Sequence, residues 1–260
     1  MKVSVVTISL NTGPTVERTI DAIIGQSHQP LEWIVVDGGS TDGTLERFQK
    51  VADRITVLIS EPDEGLADAL NKGLAAATGE AVMFINAGDG LADEDAIARI
   101  VRHWDRSRYP WAVGGCVVRD DDGSHLYVRH VRGHDMRRLL RYTCGVFHTA
   151  NILKRSLLEE AGGYARSFRI GIDYELWLRL LKLGYVPQLL PFEVGAFYMG
   201  GVSSNVVAAH REARKARELH GALNGQLCEA SLLGLAYMKH WFRGLRSFKT
   251  AYRLKERLGI

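Results

Sequence analysis

Long apolar runs are missing from this 260-residue sequence, and with them any segment able to span a membrane as a helix. Cysteine is scarce. Cys116, Cys144 and Cys228 stand apart with no CxxC pair, which argues against a disulfide framework or a zinc site. There are only 6 prolines, and the balance of 46% hydrophobic and 24% charged residues is that of an ordinary folded chain rather than a disordered one. The opening MKVSVVTISLNTG turns polar too early for a secretory signal and reads as a strand, which points to the cytoplasm. No G-x-G-x-x-G and no GxxxxGK[ST] occurs, so neither dinucleotide fingerprint nor P-loop is present.

What is present is a charge asymmetry and a strand–helix alternation. Residues 1–210 carry a net charge of −4 and residues 211–260 a net of +7, a basic tail on a mildly acidic body. KVSVVTISL reads as a strand buried on both faces, and a helix follows with Val16, Ile20, Ile23 and Ile24 inward and Thr12 or Thr15 as cap. LEWIVVDGG, ITVLISEPD and AVMFINAGD read as further strands. Helices are expected from Ser40 or Thr41 to Lys50, over 65–77 and over 92–104. This order predicts an α/β fold with a mostly parallel sheet flanked by helices. The second half is less regular: a hairpin over 111–130, a short helix over 137–142, helices over 154–162 and 173–183, a proline-interrupted strand region over 186–198, and helix from Val207 onward as a C-terminal extension.

In parallel sheets, ligands lie beyond the C-terminal strand ends. Asn11, Asp37, Glu61-Pro62-Asp63 and Asp89 all fall there, so four strand ends place polar or acidic groups on one rim. Gly38 and Gly39 after Asp37 allow a tight turn and close ligand approach, although Asp37 and Asp89 could equally serve as strand-end turn residues. Asp68 and Asn71, at i and i+3, share one helix face.

The segments SVVTISLN, IVVDGGSTDGT, SEPDEGLADALNKGLAAATGE, FINAGD, GVFHTANILKRSLLEEAGGY and IDYELWLRL, in that order, resemble family 2 glycosyltransferases of the GT-A (Rossmann-like) fold. The resemblance spans about 3–205 and is nearest the subset that builds bacterial exopolysaccharide, capsule or lipopolysaccharide. It implies a nucleotide-diphospho-sugar donor, UDP favoured, and a glycan or lipid-linked acceptor. It implies a GT-A domain over 1–205, divided into a nucleotide-sugar half over 1–105 and an acceptor half over 106–205, with a tail over 206–260. By the same resemblance Thr7 and Asp37 hold base and ribose. Asn11, Asp68, Asn71 and Asp89 complete the donor site, and Gly200–Ser203 forms the loop above it. Asp89 would ligate Mg²⁺ or Mn²⁺; Asn86, a neutral amide oxygen, and Gly88 stand where the family usually has acids. Asp173 matches the general base of an inverting transfer, with an N-cap as its plain alternative. Glu175 is the fallback base or an acceptor group. His148 could bind acceptor, phosphate or metal, or simply be structural. Trp177 could stack on a sugar or fill the core, with Arg179 close by.

In the tail, Trp241, Leu245, Phe248 and Tyr252 form one helical stripe among the basic residues of 239–257. Such a helix suits an anionic membrane surface, placing the chain peripherally at the inner face, or it packs on the body or on a second subunit as a homodimer contact. No nucleic-acid module accompanies the charge. Two rival functions remain: a non-catalytic nucleotide- or partner-binding protein of this fold, and a nucleotidyltransferase. The latter would need an arginine-rich phosphate loop that Asn11-Thr12-Gly13-Pro14 does not supply.

Overall fold

The computed structural model describes residues 1–120, 122–131, 146–199, 206–222 and 234. The expected helix over 137–142, the loop at Gly200–Ser203, Cys144, Cys228 and the basic stripe of 239–257 lie outside these residues.

The first strand, β1 (Val3–Ser9), is buried at all seven positions because helices cover both of its faces. Val6 and Ile8 point to one core with Ile34 and Val36, while Val3 and Val5 point to the other with Trp33 and Val35. β2 (Leu31–Asp37), β3 (Val57–Ser60) and β4 (Ala81–Phe84) join it in the parallel order β3-β2-β1-β4. Helices α1 (Val16–Ile24), α2 (Thr44–Gln49), α3 (Leu66–Ala76) and α4 (Ala96–His103) form the crossovers. α3 lies so close to β1 that a Cβ at Gly73 would overlap Val6 Cγ1. Thr15 stands at the N-cap of α1, but its hydroxyl makes no capping bond and instead donates to the Thr12 carbonyl at 2.7 Å. α2 begins at Thr44 after a left-handed Gly43, with Asp42 Oδ1 accepting the Thr44 N–H at 3.1 Å.

Beyond β4 the sheet becomes mixed. β8 (Asn151–Lys154) runs antiparallel to β4 and to β6 (Trp111–Arg119), and β7 (His125–Arg129) is the hairpin partner of β6. β9 (Gln188–Tyr198) pairs parallel with β6, and a register shift absorbs Pro191. The two-residue β5 (Gly90–Leu91) pairs with β9, so the expected helix over 92–104 starts later, at Ala96. α5 (Arg155–Glu160), α6 (Ile172–Lys182) and α7 (Val206–Leu219) complete the described elements. Ala216 of α7 is fully buried in the same core as β1 and α6. Among the described residues, no helix is long and apolar enough to cross a membrane.

Candidate active site

The parallel half brings four strand ends together, and their loops are tied to one another. Gly38 N–H donates to Ser9 O at 2.8 Å and Glu61 N–H to Asp37 O at 3.0 Å, extending the ladders past the strands. Asp37, with no exposed surface, is the hub. Oδ1 accepts from Ser9 Oγ (3.0 Å) and Ser40 Oγ (2.5 Å), and Oδ2 from Gly39 N, Ser40 N and Ser60 Oγ at 3.2, 2.9 and 3.0 Å. Asn11, in the left-handed region at φ 49°, accepts the Thr41 N–H at 2.9 Å and donates its own N–H to Ser40 Oγ at 2.8 Å. Beside this clamp, Leu10 stands 54% exposed. A side chain at Gly38 would displace the Asp63 carboxylate, which occupies the place of its Cβ.

Thr7 is not on this rim. It is fully buried, facing the opposite side of the sheet from Val6 and Ile8, and its hydroxyl accepts the Trp33 Nε1–H at 3.0 Å. Thr7 and Ser9 share one parity of β1, and Ser9, two residues further on at the strand's end and level with Asp37, is the β1 hydroxyl that reaches it. Asn71 is likewise committed to the scaffold: Oδ1 accepts Tyr164 N–H at 2.8 Å and Nδ2 donates to Tyr164 O at 2.9 Å. Asp68 accepts from the Glu64 N–H and pairs with Lys72 at 3.1 Å and Arg166 at 2.8 Å. The Glu64 bond, then Lys72, holds its carboxyl below the usual range.

Asn86 and Asp89 close a turn after β4, Asp89 N–H donating to Asn86 O at 2.9 Å. Thr19 Oγ1 secures that turn, donating to Asp89 O at 2.6 Å and accepting Gly88 N–H at 2.9 Å. Burial pushes the Asp89 carboxyl up to about 7, against one lowering bond from Tyr198 N–H at 3.1 Å. Asn86 Oδ1 is buried without a hydrogen-bond partner. The Asn86 amide oxygen and the Asp89 carboxylate, carried on one turn, are hard oxygen donors of the kind that suits Mg²⁺ or Mn²⁺. Among the described residues no group of three His, Cys, Asp or Glu side chains gathers at one place.

Asp173 lies within the first turn of α6, behind Gly171 at the N-cap, so it is not the cap itself. It is half-buried, and desolvation raises its carboxyl to about 6 against the lowering bond from Tyr174 N–H at 2.7 Å. The same Asp173 charge, after burial, raises the Tyr164 phenol well above its ordinary value. Tyr164 Oη is 2.8 Å from His148 Nε2, and His148 stacks on Phe84 at 5.3 Å between centroids. Burial lowers His148 to about 4, so it is a neutral imidazole at physiological pH.

Glu175, Trp177 and Arg179 are committed to buried partners behind the His148–Tyr164 pair. Glu175 is buried between Arg179 and His220, each at 2.8 Å. Arg179 also donates to Ala161 O and, at 2.8 Å, to Gly163 O. Trp177 is fully buried and stacked on Trp111 with centroids 4.8 Å apart, which leaves no ring face for a sugar. Ser9, Ser60, Tyr164 and Arg166 were absent from the sequence-based candidates. Ser9 stands at the end of the first apolar run, a position that marks the rim; the contacts of the others depend on partners distant in the chain. A cavity of about 380 Å³, lined by Met1, Glu80, Trp104, Arg106, Lys154 and Arg155 among others, lies at the opposite, N-terminal ends of β1 and β4.

Known proteins resemble this chain in sequence and in fold. A PGL/p-HBAD biosynthesis glycosyltransferase of Mycobacterium tuberculosis is 27% identical over 209 residues, 78% of this chain and 80% of that protein. The putative teichuronic acid biosynthesis glycosyltransferase TuaG of Bacillus subtilis is 41% identical over 90 residues, 34% of this chain and 36% of that one. Among solved structures, S. aureus TarS 1-349 in complex with UDP-GlcNAc superposes with a TM-score of 0.66 at 16% identity, covering 95% of this chain and 74% of that one. Against another TarS crystal structure this chain spans 44% of the length. The mannosyltransferase PcManGT from Pyrobaculum calidifontis, in complex with GDP-Man and Mn2+, gives a TM-score of 0.60 at 22% identity over 98% of this chain and 79% of that one. These likenesses identify the fold as GT-A. The model of the family "Glycosyl transferase family 2" matches residues 4–162, more than half of the sequence, and the chain belongs to that family.

Proposed function

We propose that this glycosyltransferase inverts the anomeric centre as it moves a sugar from a nucleotide-diphospho-sugar, a UDP-sugar first, to a glycan or lipid-linked acceptor. The observation that carries the reading is Asp173, a half-buried carboxyl held near 6 and therefore both ionised and basic at neutral pH. Asp173 takes the proton of the acceptor hydroxyl as that oxygen attacks the anomeric carbon. Asp37, Asn11 and the loops they organise form the nucleotide side, and Asp68 the sugar–diphosphate side, with Lys72 and Arg166 beside it as cations. Thr7 and Asn71 serve this site through the scaffold, as do Glu175, Trp177 and Arg179; neutral His148 orients Tyr164 beside the base. Asp89 and Asn86 would hold Mg²⁺ or Mn²⁺, which supplies charge neutralisation for the departing diphosphate.

The relatives support the donor and acceptor classes, since TarS was solved with UDP-GlcNAc, PcManGT with GDP-Man and Mn2+, and TuaG is named for teichuronic acid biosynthesis. In this reading residues 1–105 hold the donor and 106–205 the acceptor. The basic stripe of 239–257 rests on the inner face of the membrane, where a lipid-linked acceptor would be presented.

The test is a screen of nucleotide-sugars with Mn²⁺, following release of the nucleoside diphosphate, for the wild type and Asp173→Asn. The wild type turns one donor over, and Asp173→Asn binds it equally while losing roughly 10²–10⁴-fold in rate. Wild-type turnover by Asp173→Asn would remove the base assignment. Donor binding with no turnover by the wild type would favour the non-catalytic alternative.

A further inference from the structure

The N-terminus of α6, where Asp173 sits, is capped from a distant part of the chain. A helix leaves its first N–H groups without intrahelical partners. Gly171 at the N-cap has no side chain with which to satisfy them. The Glu212 carboxylate of α7 instead holds the backbone that leads into the helix, taking the N-cap N–H of Gly171 and the two N–H groups before it. Oε2 accepts from the N–H groups of Arg169, Ile170 and Gly171 at 3.0, 2.7 and 2.8 Å, and Oε1 from Arg169 at 3.0 Å. Three consecutive N–H groups thus converge on one carboxylate, a charge-assisted arrangement stronger than a neutral cap.

The same helix holds the segment on either side. Lys215 donates to Ser167 O at 2.9 Å and lies over the Phe168 ring at 4.6 Å. Arg217, 2% exposed, donates to Tyr174 Oη at 3.2 Å, and His220 just beyond α7 meets Glu175 at 2.8 Å. Contacts from residues 212–220 therefore bracket Asp173 from 167 to 175. Backbone closeness reinforces them, since a Cβ on Gly171 would sit 3.3 Å from Glu212 Cβ.

We propose that Glu212 is a positioning residue for the sugar-transfer base: by capping α6 through the 169–171 backbone it fixes where the Asp173 carboxylate stands against the acceptor. The proposal rests on the assignment of Asp173 as base. Glu212 touches neither substrate nor metal in this scheme and acts only through the start of α6. Displacing a catalytic group by about 1 Å is enough to cost on the order of 10²-fold in rate.

The experiment is a kinetic cycle on the full chain with Mn²⁺ and the nucleotide-sugar found in the donor screen, comparing wild type, Glu212→Gln, Glu212→Ala, Asp173→Asn and Asp173→Asn/Glu212→Ala. Glu212→Ala is expected to lower kcat about 10–100-fold with donor KM within about 3-fold, and Glu212→Gln, which keeps an acceptor oxygen without the charge, by less. The double variant is expected to be no slower than Asp173→Asn, because the two residues act along one line. Wild-type kcat in Glu212→Ala alongside an inactive Asp173→Asn overturns the positioning role and leaves the base assignment standing. Full activity of Asp173→Asn sinks the base assignment itself. An additive double variant, or a loss appearing mainly in donor KM, also overturns the proposal by marking a merely structural contact. Should Glu212→Ala not fold, Glu212→Gln decides, and an unchanged kcat counts against the proposal.

Discussion

Asn71 of α3 and Tyr164 beyond α5 are joined by a reciprocal pair of hydrogen bonds, the side-chain amide of one matching the backbone N–H and C=O of the other at 2.8 and 2.9 Å. The residues are 93 positions apart in sequence, and the pair ties the helix under the nucleotide rim to the turn that carries the Asp173 neighbour Tyr164. Gly163 permits it, for a Cβ there would meet Asn71 Oδ1 at 2.5 Å.

Asn71→Ala strands both backbone groups of Tyr164, a residue only 2% exposed. The expected loss is about 1–3 kcal/mol of stability, read from the urea midpoint. An unchanged midpoint would mean that water replaces the amide at no cost.

The activity should fall on the acid side through Asp173. Because the base must be ionised and burial raises its carboxyl to about 6, kcat/KM should drop about tenfold per pH unit below that point. His148, held near 4, adds no second limb between pH 5 and 8. For stability the sign is opposite: an acid raised in the folded state loses folding free energy as pH climbs from the ordinary carboxylate range through 6. Asp173→Asn should therefore be more stable than the wild type at pH 8 and nearly equal at pH 3, a comparison made by chemical denaturation at both values.

The metal site should respond to Asn86. Asn86→Asp places a second carboxylate where a buried neutral oxygen now has no partner. With Asp89 on the same turn, the Mn²⁺ concentration for half-maximal activity should fall by about tenfold, reflecting added ligand charge. Asp89→Asn should raise it by at least as much. Equal metal dependence in both variants and the wild type would move the metal elsewhere.

Arg179→Ala should unfold the region around α6 rather than alter acceptor use. It removes the arginine from a Glu175 side chain only 2% exposed and frees the Ala161 and Gly163 carbonyls. Breaking a buried pair of this kind costs about 3–5 kcal/mol. A stable variant with a raised acceptor KM would instead restore Arg179 to the acceptor site.

The sequence by itself determined the strand–helix alternation of the first half, because buried β-branched runs and periodic helices depend on neighbours within a few residues. It also determined that Asn11, Asp37 and Asp89 fall at or just beyond strand ends, since each comes shortly after an apolar run. Only the tertiary structure decided which groups face the rim. The Trp33 indole took up the Thr7 hydroxyl while Ser9, at the end of β1, reached Asp37, and the packing of α6 committed Glu175, Trp177 and Arg179 to the interior. β5 and β8 were likewise illegible, because two to four residues become a strand only when a neighbouring strand offers its hydrogen bonds. The cap that Glu212 places on α6, 41 residues back along the chain at Gly171, has no local signature at all. Hydrogen-bond partners set by chain folding, rather than by spacing, separate the residues at the site from those that hold it in place.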